Sequence, residues 1–239
     1  MTDQFSTFTI SYGKHQIPIE VCYEERNQLA ITVCPDMTVE ARAPMGSEPD
    51  KVQKKLDAKA RWIWGQLDHF EKYQPLQPSR EYVGGETHLY LGRQYRLKLE
   101  RSDREQVRLI GKFFHAETQD PKDTSQVKAL MWSWYQLHAK AIIKKRIAPL
   151  FSEVKRYGAE QPAIRVQWMK KRWGSCMLNG VMTFNVELVK APVHCVDYVL
   201  MHELCHLVHP NHGAEFYRLL NILMPDWQKR KDRLERVTI

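Results

Sequence analysis

The sequence predicts an α+β fold, and three observations carry this. Period-2 alternation over the first ~45 residues and again over 80–117 marks two strand-rich stretches. Each is followed by apolar residues recurring at steps of three and four, so strands and helices come in separate runs, not in βαβ alternation. An Asn179–Gly180 hairpin signal then stands ahead of an apolar helix that begins near Pro192. With 239 residues, 43% hydrophobic and 27% charged, the chain is long enough to bury a full core and is ordinary in composition for a globular protein.

In order along the chain, Ile17–Tyr23 and Leu29–Val33 alternate apolar and polar residues, and 24–28 between them suits a hairpin turn. Ser47 and Asp50 have capping-box spacing, and Val52, Leu56, Ala60, Ile63, Leu67 and Phe70 mark one face of a helix over 48–73, stopped by Pro75 and Pro78. Strands resume over 80–117 with Gly92 at a turn. The polar segment 119–123 contains Pro121 and is the expected boundary, giving a β-rich region 1–120 and a second region 121–239. There a long helix shows Val127, Leu130, Met131, Trp134, Leu137, Ala141 and Ile142 on one face. Pro149 should kink or split it, and Gly158 should close it. Residues 164–168 read as a strand. Asn179–Gly180 suits a type I′ turn between strands, and the next helix runs from Val193 to about His209, where Pro210 breaks it. Helices 214–223 and 226–237 finish the chain.

Several classes are excluded. No stretch approaches the ~18–20 uncharged apolar residues that a bilayer requires. The start, MTDQFSTFTISYGKHQ, lacks a basic segment followed by an apolar run, and five cysteines without a C-x-x-C pair suit a reducing compartment, so the expected location is cytoplasmic. Thirty-six Lys and Arg against 28 Asp and Glu give a net charge of +8, which favours an anionic partner or reflects a solvated basic surface. No membrane and no obligate protein partner is implied.

The chemistry concentrates in His202-Glu203-Leu204-Cys205-His206. Histidines at i and i+4 share one helix face and can share one ion, and zinc takes nitrogen ligands readily. Glu203 then lies beside the metal, placed to take a proton from a zinc-activated water. A catalytic site needs a third ligand. His212, ten positions after His202 and past the Pro210–Asn211 turn, is favoured; His209, on the same helical face, is its rival, or else a cation at the helix C-terminus. The spacing equals that of the metzincin motif, with His209 where metzincins carry glycine. In the segment 173–176, a turn at Gly174 would present Ser175, and Lys171 or Arg172 would meet developing negative charge, which makes these three substrate-binding candidates. The plain alternative is a loop tucked under the metal helix, with Trp173 as packing and Cys176 as a small hydrophobe.

Lys171-Arg172-Trp173-Gly174-Ser175-Cys176, Phe184-Asn185, the run 197–207, Asn211-His212 and Phe216-Tyr217 together resemble the bacterial YgjP-like metallopeptidase-domain family, in matching order and spacing from about Ile164 to Trp227. The resemblance implies a zincin-like catalytic region with the H-E-x-x-H helix on a small sheet, zinc ligation by His202, His206 and His212, and the base role for Glu203. Tyr217 stands where the family usually shows tryptophan.

Region 121–239 is therefore expected to be a metal-dependent hydrolase, foremost a peptidase with one Zn²⁺. The alternative is a pyrophosphohydrolase acting on nucleoside triphosphates at the same site, with Mg²⁺ joining through the substrate and the 170–172 cluster holding phosphates. A DNA-associated protease resembling the SprT-like group, or a nucleic-acid binder, is disfavoured by the missing C-x-x-C module and the short interval from 206 to 212.

Overall fold

The computed structural model describes residues 5–34, 36–71, 80–170 and 172–236. The fold is α+β, and the chain divides into two compact units, Met1–Gln77 and Pro78–Ile239. The expected boundary at 120/121 falls inside the second unit. Phe114 and Ala116, ahead of that point, lie in one core with Val127, Met131 and Trp134 after it, so the polar segment is a connection within a core. It ends in Asp123, whose carboxylate accepts from the Ser125 and Gln126 N–H groups and caps the next helix.

The first unit holds β1 (Phe5–Tyr12), β2 (His15–Glu24), β3 (Ala30–Val33), β4 (Val39–Pro44), α1 (Pro49–Asp57) and α2 (Ala60–Glu71). The expected hairpin between β2 and β3 does not form. The sheet order is β1-β2-β4-β3, with β4 parallel to β2 and antiparallel to β3. Alternation shows that a strand has one buried face, but it does not name the neighbour; here Val39, Ala41 and Ala43 of β4 fill the place beside Ile17, Ile19 and Val21. The expected single helix is two. Ser47 is not its cap: Glu48 precedes Pro49, whose fixed φ starts α1 without a side-chain cap. Of the expected core face, Val52, Leu56, Ala60, Ile63 and Leu67 are buried, and Phe70 packs against them only partly buried. Residues 72–73 and the stop at Pro75 and Pro78 lie outside the described residues.

The second unit begins with β5 (Thr87–Tyr90), β6 (Arg93–Arg101), β7 (Gln106–Ile110) and β8 (Phe113–Thr118), in the order β5-β6-β8-β7. A 32-residue helix, α3 (Thr124–Lys155), follows and passes through Pro149 without splitting, because Ile143, Ile147 and Val154 on either side are held in the core. Its buried face is rotated from the expected one: Tyr135 and Ala139 are inside, while Leu137 is 67% exposed. Next come β9 (Ala163–Gln167), β10 (Gly174–Cys176) and β11 (Val181–Asn185), in the order β10-β11-β9, with β9 parallel to β11. The β10–β11 hairpin stands where expected, but its turn differs. Only Gly180 has positive φ; the Gly180 N–H donates to the Met177 carbonyl and the Met177 N–H to that of Val181, a bulged turn in which the Asn179 side chain accepts from the Val181 N–H.

A 3-10 turn, Val186–Lys190, leads into α4 (Val193–Cys205), then α5 (Ala214–Leu223) and α6 (Trp227–Glu235). Two contacts fix α4. At its start, the tip of the β5–β6 hairpin docks: the Leu91 and Gly92 N–H groups donate to the carbonyls of Val189 (2.7 Å) and Lys190 (3.1 Å). Midway, the Arg146 guanidinium of α3 grips Asp197 with two bonds of 2.7 and 2.5 Å. Among the described residues no helix is long and apolar enough to cross a membrane.

Candidate metal centre

The helix α4 ends at Cys205, earlier than the His209 expected. His206 is its C-cap, and the N–H groups of Leu207 and Val208 close tight bonds to Leu204 and Cys205. The chain then reverses at 210–211, and His212 returns over the helix. His212 Nε2 lies 3.1 Å from His206 Nε2 and 3.0 Å from His202 Nε2. Among the described residues, His202, His206 and His212 form the group able to hold a metal ion. His209 enters it through its backbone instead: its carbonyl lies 3.1 Å from His206 Nδ1. A carbonyl only accepts, so the proton sits on Nδ1 and the Nε2 lone pair faces the cluster. Phe216, fully buried, supports all three imidazoles with ring centres 5.0, 4.6 and 4.8 Å away. Tyr217 stacks at the rim between His212 and Trp227.

The donors fit a divalent ion. Burial pushes the His202 imidazole down to about 3, helped by its two histidine neighbours, and burial lowers His206 as well, so these rings are neutral and keep a lone pair. One hydrogen on His212 Nε2 can satisfy only one of its two close nitrogen contacts, which leaves lone pairs turned on each other; a cation among them removes that conflict. Tetrahedral zinc with bonds of about 2.0–2.1 Å sets its donors about 3.3 Å apart, near the separations found.

Glu203 lies on the α4 face beneath β10 and is 6% exposed. Burial pushes its carboxyl up to about 7, against the pull of the Arg172 charge. Of the substrate-binding candidates, Arg172 is exposed and close enough to exert that pull. Lys171 lies outside the described residues. Ser175 follows Gly174, whose Cβ direction points at Glu203, so strand alternation turns the Ser175 side chain to the opposite face. Cys176 is on the Glu203 side, but burial and that carboxylate raise its thiol to about 11, which keeps it protonated at neutral pH. A cavity of about 350 Å³ opens beside His206, between Leu207 and Pro210, the hairpin Cys176–Gly180, and Glu160.

Two residues act in ways that the sequence reading did not foresee. Asn185, fully buried, donates to the carbonyls of Met169 (2.7 Å) and Arg172 (3.1 Å) and accepts from the Glu187 N–H (3.1 Å), tying the segment before β10 to the end of β11. Its signal is a carboxamide closing the apolar strand Val181–Phe184, which must find partners once buried. The other is Gly174, expected at a turn that presents Ser175 but found in β10, paired with Phe184; its surroundings depend on a neighbour 29 positions away and leave no local signal.

The family model described as YgjP-like, metallopeptidase domain, matches residues 27–237. No curated protein matches the chain.

Proposed function

The chain belongs to the YgjP-like metallopeptidase-domain family, and on that premise we propose that it is a zinc peptidase, with His202, His206 and His212 as the ligands and Glu203 as the general base. The observation that carries this reading is the convergence of three imidazole nitrogens within 4.8 Å of one another, on the helix that bears a buried carboxyl one residue after the first of them. Bound there, zinc supplies Lewis acidity toward water and toward the scissile carbonyl. The His209 carbonyl orients the His206 ring, and Phe216 keeps the three rings from turning away. Glu203 accepts the proton of the attacking water. Burial raises its carboxyl, which favours keeping that proton until it is returned to the leaving amine. Arg172 adds positive charge on the side where negative charge develops.

A peptide is favoured as substrate by the edge of β10. Trp173 and Met177 bond to β11, so the N–H and C=O groups of Gly174 and Cys176 point to the open side of the sheet, where an extended peptide can pair. Arg172, close enough to Glu203 to act on its charge, also suits a phosphate, which keeps phosphoanhydride hydrolysis, with Mg²⁺ on the nucleotide, as the second reading. One experiment separates them. Zinc-loaded protein is incubated with a casein-type substrate and, separately, with nucleoside triphosphates plus Mg²⁺, with Glu203→Gln as the blank. Cleavage of the polypeptide, lost ~10²–10⁴-fold in Glu203→Gln, supports the peptidase; triphosphate hydrolysis alone, with the same loss, supports the alternative.

A further inference from the structure

We propose that Gly174 is the positioning residue of Glu203: the side chain missing at this strand position is the space in which the carboxyl sits. The catalytic half of this inference rests on Glu203 being the base; the steric half does not.

Of the eleven glycines, seven have positive φ and are explained by their backbone. Gly174 is not among them, so its conformation is open to any residue. The other three without positive φ have open space or ordinary contacts where a Cβ would stand. At Gly174 a Cβ would lie 2.8 Å from Glu203 Oε1, 2.9 Å from Cγ and 3.1 Å from Cδ, three atoms of one side chain. The nearest obstacle to a side chain at this position is therefore Glu203.

Glu203 has little room to yield. It sits on the buried side of α4, beside Leu204, Cys205 and Met201, all at the core. Among the described residues no hydrogen bond holds its carboxyl. On the β10 side the carboxyl occupies the place where a Gly174 side chain would begin, and that stretch of backbone is itself held by the register Gly174↔Phe184 and by the bond from the Asn185 N–H to the Trp173 carbonyl (2.9 Å). The strand thus acts as a stop for the acid on the face opposite α4. An alanine would drive the carboxyl or the strand aside by some tenths of an ångström to an ångström, a shift that matters to proton transfer because reach is confined to hydrogen-bond distance.

The test is a stability cycle on the full chain with a kinetic arm. Gly174→Ala is made in wild type, in Glu203→Gln, which keeps the bulk, and in Glu203→Ala, which removes it. The thermal midpoint is expected to fall by about 2–8 °C in the first two backgrounds. In Glu203→Ala it should be unchanged or rise slightly, as for a Gly→Ala change at a compatible φ. An equal fall in all three overturns the proposal, since the glycine would then serve the strand itself. If Gly174→Ala does not fold, recovery of folding in Gly174→Ala/Glu203→Ala supports it, and failure of that double variant overturns it. In the kinetic arm, Gly174→Ala should keep zinc content and KM for a casein-type substrate while kcat falls ~10–10³-fold. Loss of zinc together with activity would place the damage at the histidines and overturn the positioning role. Should wild type cleave no polypeptide, the reading of Glu203 as base fails, and the midpoints still decide the contact.

Discussion

His209 and His212 stand three residues apart and contribute different atoms. The ring of His212 joins the cluster, whereas His209 offers only the carbonyl that accepts from His206 Nδ1. Replacing a side chain leaves its carbonyl in place. His209→Ala should therefore keep zinc affinity within ~3-fold, while His212→Ala should lower it by ~100-fold or more; competition with a chelator of known affinity measures both. A second buried imidazole behaves differently. His88, 2% exposed, lies 3.1 Å from a Glu86 carboxylate oxygen, but that carboxylate already accepts from the Glu81 and Tyr82 N–H groups, and burial outweighs it, holding the imidazole well below its ordinary value. The unfolded chain then takes up this proton first as pH falls below about 6.5, so stability drops on the acid side, by roughly 1–3 kcal/mol by pH 4. Urea midpoints across that range should slope less in His88→Phe than in wild type. At this scale the grouping of the three histidines was legible, because two lie at i and i+4 and the third follows a proline break. Gly174 and Asn185 were not, because the atoms that give them meaning belong to other elements.

At the scale of elements, the start of α4 rests on a close approach between Gly92 and Pro192. A Cβ at Gly92 would stand 2.7 Å from Pro192 Cγ and 2.9 Å from its Cα, and the glycine has φ of 77°. Gly92→Ala thus meets two penalties, a strained backbone and a contact with the backbone that begins the helix, and should cost about 2–4 kcal/mol. Hydrogen exchange locates the damage: the N–H groups of Cys195 and Val196, bonded to the Pro192 carbonyl, should exchange faster, while those of α6 change less. The sequence predicted Gly92 at a turn but not what the turn touches. The same limit explains the N-terminal sheet. The alternating patterns of β2 and β3 were visible, yet β4 lies between them, and pairing order is decided by which buried faces fit together. Likewise the apolar steps in 52–67 marked the core face of α1 and α2 without revealing their separation at 58–59.

For the whole molecule, two hydrophobic clusters matter more than the polar segment near Pro121. One is built from residues 10–67 and the other from 97–234. The boundary was misjudged from composition because residues 80–118 look like the β-rich start of the chain, while their buried side chains belong with α3 and α4. All three histidines lie in the second unit. Ligand linkage then predicts an asymmetric response to metal removal. In calorimetry of the full chain, a chelator should lower the transition of the second unit by the equivalent of several kcal/mol and leave that of the first unit within about 1 °C.

The histidines also differ from Glu203 in how far along the chain their supports lie. The three imidazoles fall within eleven consecutive residues, on the last turn of α4 and the loop after it, so the cluster closes by short-range contacts. The cover over Glu203 comes from β10, in a sheet whose parallel pair β9–β11 joins residues about eighteen apart. Short loops close early and distant pairings late. On the reading proposed above, a newly made chain would capture its ion before the strand arrives to set the acid, so that metal uptake would precede competence, and an immature chain would hold zinc without yet being able to cut its neighbours.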